Sequence, residues 1–143
     1  MLKSMERREF YRHPLHLPIQ MSMGENSITL NADAKDISLG GLSFLTPMEI
    51  PKGSQVIVRI VFKERIYLLK TLVAYSRQTE QAGIFQNGVQ FSSSPLAFRA
   101  LLTHLFFEIY EHHRFLRQSV DPEISEEAAS DQWLRENTRL FAA

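Results

Sequence analysis

Val56-Ile57-Val58-Arg59-Ile60-Val61-Phe62-Lys63-Glu64-Arg65-Ile66-Tyr67-Leu68-Leu69-Lys70 decides the fold class. Val56, Val58, Ile60 and Phe62 take alternate positions, with Ile57, Arg59 and Val61 between them. A period of two sends side chains to opposite faces of an extended chain. β-Branched residues fill the stretch, and these suit a pleated, half-buried surface. Lys63-Glu64-Arg65 is a short charged turn, and a second long strand runs from Ile66 to Tyr75. Two such runs joined by a short turn form a β-hairpin.

The same pattern extends outward in both directions. Pro14 and Pro18 favour extended backbone before it. Ile19-Gln20-Met21 alternates, Gly24-Glu25-Asn26 is a turn, and Ser27 to Ala34 forms a second strand with Ile28 and Leu30 on one face. Asp36-Ile37-Ser38-Leu39-Gly40-Gly41 is a tight, glycine-rich connection, followed by a short strand from Leu42 to Leu45. The last strand runs from Ile84 to Phe91. Several short strands separated by turns predict a mainly β domain, a small antiparallel barrel or sandwich.

After Pro95 the period changes. Phe98, Leu101, Leu102, Leu105, Ile109 and Leu116 fall three or four apart, which predicts a long amphipathic helix to about Gln118. Ser94 is the expected N-cap, with Pro95 at the first helical position. The helix's apolar face needs an apolar partner, and the open end of a barrel supplies one. Residues 125–139 favour a short second helix, with Ser130-Asp131 as a cap. Trp133, Leu134, Leu140 and Phe141 could fold back on the barrel or meet another protein.

Composition narrows the function. The 143 residues suit one domain, and no cysteine is present for a disulfide framework or thiolate chemistry. No apolar run approaches a membrane span, and the N-terminus has no signal core, so a cytoplasmic protein is expected. The 16 basic and 16 acidic side chains cancel. Their distribution does not. Residues 1–120 carry 14 basic and 10 acidic groups, a net +4, while residues 121–143 carry a net −4. Arg7, Arg8 and Arg12 cluster in six residues at the basic end. Such asymmetry marks an anion site or an interaction tail.

Arg8-Glu9-Phe10-Tyr11-Arg12 and Asp36-Ile37-Ser38-Leu39-Gly40-Gly41 carry the most chemistry. Guanidinium groups bind phosphate or the O6 and N7 edge of guanine in bidentate fashion and stack on flat bases. Asp36 and Ser38 sit on alternate positions of an extended stretch, which sends both to one side. Asp36 can accept from guanine N–H groups, and Ser38 can donate to a phosphate. Gly40 and Gly41 permit a close backbone approach or an unusual turn. Taken singly, each motif also reads as ordinary structure: a solvated charged arm, and an Asx-turn.

Taken together and in this order, Arg8-x-x-x-Arg12 and Asp36-x-Ser38-x-x-Gly41 resemble the PilZ domain family. Gly88-Val89-Gln90-Phe91 is similar to the Gly-x-x-Phe that ends the family's last strand. The resemblance covers about residues 6–118. It implies a six-stranded antiparallel, Greek-key-like β-barrel with a long C-terminal helix, binding the bacterial second messenger cyclic di-GMP. By carry-over, Arg8 and Arg12 contact guanine and phosphate, Asp36 and Ser38 hold the other guanine and a phosphate, and Gly41 shapes the turn. Arg7, Gly40 and Gly88 complete the expected ligand-binding set. His13 takes a position beside the ligand that is often aliphatic in the family.

The expected organisation is an arginine arm over 1–13, a barrel and helix over 14–120, and an acidic, helical tail over 121–143. The arm repels itself and is expected to be mobile, and a dianionic ligand would order it at an entropic cost. The expected function is a stand-alone cyclic di-GMP receptor and adaptor that works through an unidentified protein effector or through a homodimer formed by the helix or tail. No enzyme is expected. The chain lacks a Walker loop, a Gly-x-Gly-x-x-Gly and a Gly-x-Ser-x-Gly elbow. His13-x-x-His16 and His112-His113 have no companion ligands, so no metal and no cofactor beyond the nucleotide is expected. Two alternatives stand beside this reading. One is a ligand-independent PilZ-like interaction module. The other, less favoured, is a small barrel binding single-stranded nucleic acid.

Overall fold

In the computed structural model, residues 11–23 and 28–141 are described. The expected turn at Gly24-Glu25-Asn26 and the arm through residue 10, with Arg7 and Arg8, lie outside them. The elements run β1 (Pro18–Met23), β2 (Ile28–Ile37), β3 (Gly41–Thr46), β4 (Gln55–Phe62), β5 (Arg65–Gln78), β6 (Phe85–Ser93), α1 (Leu96–Ser119) and α2 (Glu126–Glu136), then a 3-10 turn over Thr138–Phe141. The strands close into an antiparallel barrel in the order β1-β2-β3-β6-β5-β4. The expected barrel with a long helix and a short helical tail is what forms.

The deciding hairpin pairs in full register, from Gln55 opposite Leu72 to Phe62 opposite Arg65. Its turn is only Lys63-Glu64, both left-handed at φ 51° and 67°. Positive φ at both central residues matches the right-handed twist of the flanking strands. Val56, Val58 and Ile60 point inward and are almost wholly buried. They meet Leu17, Met21, Leu42, Phe44, Leu69 and Val89 in one core. Each such side chain contributes about 1.5–3 kcal/mol when fully buried.

α1 closes the barrel with Phe98, Leu101, Leu102, Leu105 and Ile109. The Phe98 ring lies 5.7 Å from those of Tyr67 and Phe91, which seats the start of the helix on β5 and β6. Its N-cap is Pro95 rather than Ser94, and no side chain caps it. Pro95 has φ −57° and ψ 144°, so the chain is still extended there and enters the helix at Leu96. α2 lies within the expected 125–139, but its cap differs. Ser125, not Ser130, is its cap and accepts from the Ala128 N–H at 3.0 Å. Ser130 is instead buried on the inner face of α2 with Ala129, Trp133 and Leu134. Trp133 and Leu134 thus fold back on the core, and Phe141 packs at 5.3 Å from Phe62.

Two of the three register shifts in the barrel set which side chains leave the core near one face. The β2–β3 register shifts between Ala34 and Asp36. Ala34 is 1% exposed, so strict alternation would turn Asp36 inward as well. The extra residue reverses the parity, bringing Asp36 outside and Ile37 into the core. A second shift between Val73 and Tyr75 does the same on β5, with Val73 inside and Tyr75 opposite Gly88.

Candidate functional site

The shifts leave one row of residues across four strands. Asp36 on β2 lies opposite Ser43 on β3, Ser43 opposite Gly88 on β6, and Gly88 opposite Tyr75 on β5. Cross-strand partners share a face, so this row belongs to the outer surface of the barrel.

The segment before β1 is pinned beside the row. His13 and Ile37 exchange backbone hydrogen bonds of 2.9 Å each, and the Ala34 N–H donates to the Leu17 carbonyl at 2.8 Å. Leu15 and Leu17 anchor the segment in the core. The Arg12 guanidinium donates to Asp36 Oδ1 at 3.0 Å, and both side chains are about three-quarters covered (22% and 26% exposed). Residues 24 apart in sequence are therefore joined directly.

Ser38 does not share that orientation. β2 ends at Ile37, and Ser38 begins the turn. Its N–H donates to the Gly41 carbonyl at 2.8 Å. Its Oγ contacts the same carbonyl at 3.3 Å and accepts from the Gly40 N–H at 3.1 Å. With 5% exposure, Ser38 braces its own turn rather than standing beside Asp36. The Gly40 carbonyl accepts from the Phe91 N–H at 3.0 Å, which ties the turn to β6. Gly41 is needed for space. A Cβ there would meet the Val89 carbonyl oxygen on β6, and no positive φ is involved. Gly88 lies under the Tyr75 ring, whose Cζ would stand 2.5 Å from a Cβ at that position.

Three residues that sequence reasoning missed share this face. The Arg77 guanidinium stacks over the Tyr75 ring at 4.2 Å. Lys35 and Arg77 line a cavity of about 580 Å³ with Leu45 and Gln86. Tyr75 and Arg77 stand two apart on a strand, the one sequence signal for a shared face. The bulge that orients Tyr75 leaves no mark in the alternation. Ser43 Oγ, in the centre of the row, is fully buried without a hydrogen-bond partner among the described residues.

The other side of the pinned segment meets the helices. The His13 ring stacks on Phe106 at 3.9 Å and meets the Tyr11 ring edge-on at 4.7 Å. Burial lowers the His13 pKa, partly opposed by the Glu126 charge. The Tyr11 hydroxyl donates to Glu126 at 3.3 Å. That carboxylate's charge raises the Tyr11 pKa, with burial and the hydrogen bond adding to it. Among the described residues no group of histidines and carboxylates has the arrangement of a metal site, and no helix is long and apolar enough to cross a membrane.

The fold and the paired motifs define a class. The family model for the PilZ domain matches residues 6–108, and the chain belongs to that family. Solved structures carry the same fold. Escherichia coli YcgR in complex with c-di-GMP superposes with a TM-score of 0.60 at 17% identity, covering 80% of this chain and 50% of that one. The Bacillus subtilis inhibitor of motility MotI/DgrA gives 0.59 at 17% identity, covering 79% and 53%. The PilZ domain of YcgR with c-di-GMP gives 0.58 at 18% identity, covering 80% of this chain and 99% of that domain. The chain thus spans about half the length of the full YcgR and MotI/DgrA structures and nearly all of the isolated domain. No curated protein matches the chain.

Proposed function

We propose that this protein is a receptor for cyclic di-GMP, bound on the outer face of β2, β3, β6 and β5. The observation that carries the reading is the Arg12–Asp36 pair, which brings the two halves of the family's ligand motif to one point. Arg12 supplies a planar donor fork for a phosphate or a guanine edge. Asp36 supplies an acceptor for the N–H groups of a guanine. Arg7 and Arg8, which precede Arg12 in the sequence, are assigned further contacts to the ligand, with residues 1–13 as the binding arm. Ser38, Gly40 and Gly41 hold Asp36 in place by fixing the turn that follows it. Tyr75, over Gly88 and under Arg77, adds a flat aromatic surface.

Arg12 and Asp36 satisfy one another, so ligand must exchange their ion pair for its own contacts. A partly exposed pair contributes only about 0–1 kcal/mol, whereas charge-assisted hydrogen bonds to an anion contribute about 1.5–3 kcal/mol each. The exchange therefore favours the ligand. Closure of the arm converts binding into a change of surface, which suits an adaptor. Phe107, Tyr110 and Phe115 on α1 are each more than half exposed and give such an adaptor an apolar face for a protein partner.

The test is calorimetric titration with cyclic di-GMP, GTP and a short RNA. The proposal requires saturable binding of cyclic di-GMP with clear preference over the other two. Equal binding of the RNA with a steep salt dependence would instead support the nucleic-acid reading. No binding of any of them would leave a protein-interaction module.

A further inference from the structure

α1 carries a second stripe, on the side away from the one it buries. Ala100, Thr103, Phe107, Tyr110, Arg114 and Arg117 are all exposed, and they follow one another in steps of three and four. Leu96, 80% exposed, extends the line by one more step of four. Alternating steps of three and four are the repeat of about 3.5 residues along which two helices pair. The line spans about 30 Å of helix. Its middle is aromatic, with Phe107 61% and Tyr110 58% exposed. Thr103 brings no unmet donor to it, because its hydroxyl donates to the Arg99 carbonyl at 2.9 Å.

The two ends of α1 differ in charge. No side chain caps its N-terminus, and no acidic residue lies in its first turn, where Arg99 follows closely. Unpaired N–H groups and the helix dipole favour a negative charge there. Beyond its C-terminus stand Asp121 and Glu123, both exposed.

We propose that this face of α1 pairs with the same face of a second copy of the chain, the two helices running antiparallel about a two-fold axis. Parallel pairing would set Arg114 against Arg114 and Arg117 against Arg117, like charge on like charge. The antiparallel register that centres the aromatics sets Phe107 of each helix against Tyr110 of the other. Arg114 then lies over Thr103 and Arg117 over Ala100. The small residues receive the aliphatic stems, and the guanidinium groups reach water. His104 of each helix meets Glu111 of the other along the rim. Asp121 of each comes level with Leu96 of the other, beside the uncapped N-terminus and Arg99. Phe115 lies off the seam and stays open to a further partner. The pairing does not rest on cyclic di-GMP binding.

A single helix seam is a small interface, so association on the order of 10 µM is expected. Sedimentation equilibrium without ligand measures it. Wild type should move from the 16.5 kDa of one chain towards twice that mass as concentration rises through this range. Phe107→Glu should stay at the mass of one chain, with Tm unchanged because the ring is exposed. Orientation is read by disulfide trapping, which the absence of native cysteine makes clean. Thr103→Cys mixed with Arg114→Cys should cross-link roughly tenfold faster than either variant alone, because only the antiparallel register sets these positions opposite each other. A wild type that stays monomeric, a dimer that survives Phe107→Glu, or faster cross-linking of Thr103→Cys alone overturns the pairing.

Discussion

Gly41→Ala tests whether the motif glycine serves the barrel or the ligand. The new Cβ would be driven onto the Val89 carbonyl oxygen, with Val89 C at 3.1 Å and Gln90 Cα at 3.2 Å. All three atoms are backbone of β6, so no rotamer change relieves the contact. β6 is also held by β5 along its far side, from Lys70–Ser93 to Gln78–Phe85. β3 and β6 must therefore separate locally. Overpacking of this kind costs about 1–3 kcal/mol. Separation also weakens the 2.8 Å bond from Ser38 to Gly41 and the 3.0 Å bond from Phe91 to Gly40. At roughly 1 kcal/mol for this loss, the total is about 2–4 kcal/mol. For a domain of this size that lowers Tm by roughly 5–15 °C. Thermal and urea unfolding without ligand measure it, and the urea slope should be unchanged. A Tm within about 1 °C of wild type would refute the packing account and return Gly41 to a purely ligand-facing role.

Arg12→Ala and Asp36→Ala should each weaken cyclic di-GMP binding by about 10- to 100-fold by calorimetry, with Tm little changed because the pair itself is partly exposed. Gly88→Ala should force the Tyr75 ring, Cζ at 2.5 Å and Cδ2 at 2.9 Å, off its strand, costing about 1–2 kcal/mol in denaturant unfolding. Asn87→Ala should cost about 1–3 kcal/mol, because Asn87 Nδ2 donates to Thr46 Oγ1 at 2.8 Å and to the Phe44 carbonyl at 3.3 Å inside the core, and both acceptors lose that donor. His13 gives the fold a pH dependence on the acid side. Burial lowers its pKa, so the folded state favours the neutral ring. Its contribution is present above the unfolded histidine pKa and is lost as pH falls below it. His13→Leu should therefore flatten the acid side of the stability–pH profile, measured as Tm between about pH 5 and pH 7.

The barrel was legible in the sequence because its strands alternate cleanly. Val56, Val58 and Ile60 point inward where the period says, whereas on β5 Leu69 and Val73 point inward and Ile66, Leu68 and Leu72 stay exposed. α1 was legible for the same reason at a period of 3.6. Helix caps were not. Ser94-Pro95 and Ser130-Asp131 both have the composition of a cap, but capping depends on where the backbone turns, and tertiary packing decided that. Ser130 went into the core, and Ser125 took the cap. Of the expected site residues, the structure joins Arg12 to Asp36 and packs Gly41 against β6. Ser38 does not stand beside Asp36 as alternation predicts, because the strand ends one residue earlier and the hydroxyl turns back on its own loop. Tyr75 and Arg77 were missed because a bulge reverses the inward–outward parity on β5, and a bulge is a property of two strands rather than one; Lys35 is outward by plain alternation and was missed because nothing in the sequence sets it beside Arg77.

Closure of the barrel has a consequence for how signals leave the molecule. β1 pairs with both β2 and β4, so each of the six strands has a neighbour on either side. A sheet with no free edge offers no backbone ladder to an incoming strand. Recognition by strand addition is thereby disfavoured along the paired stretches of the barrel. A partner must read side chains instead. Specificity then rests on residues that can change without disturbing the fold, so one barrel can serve many targets while its own hydrogen-bonded frame stays the same.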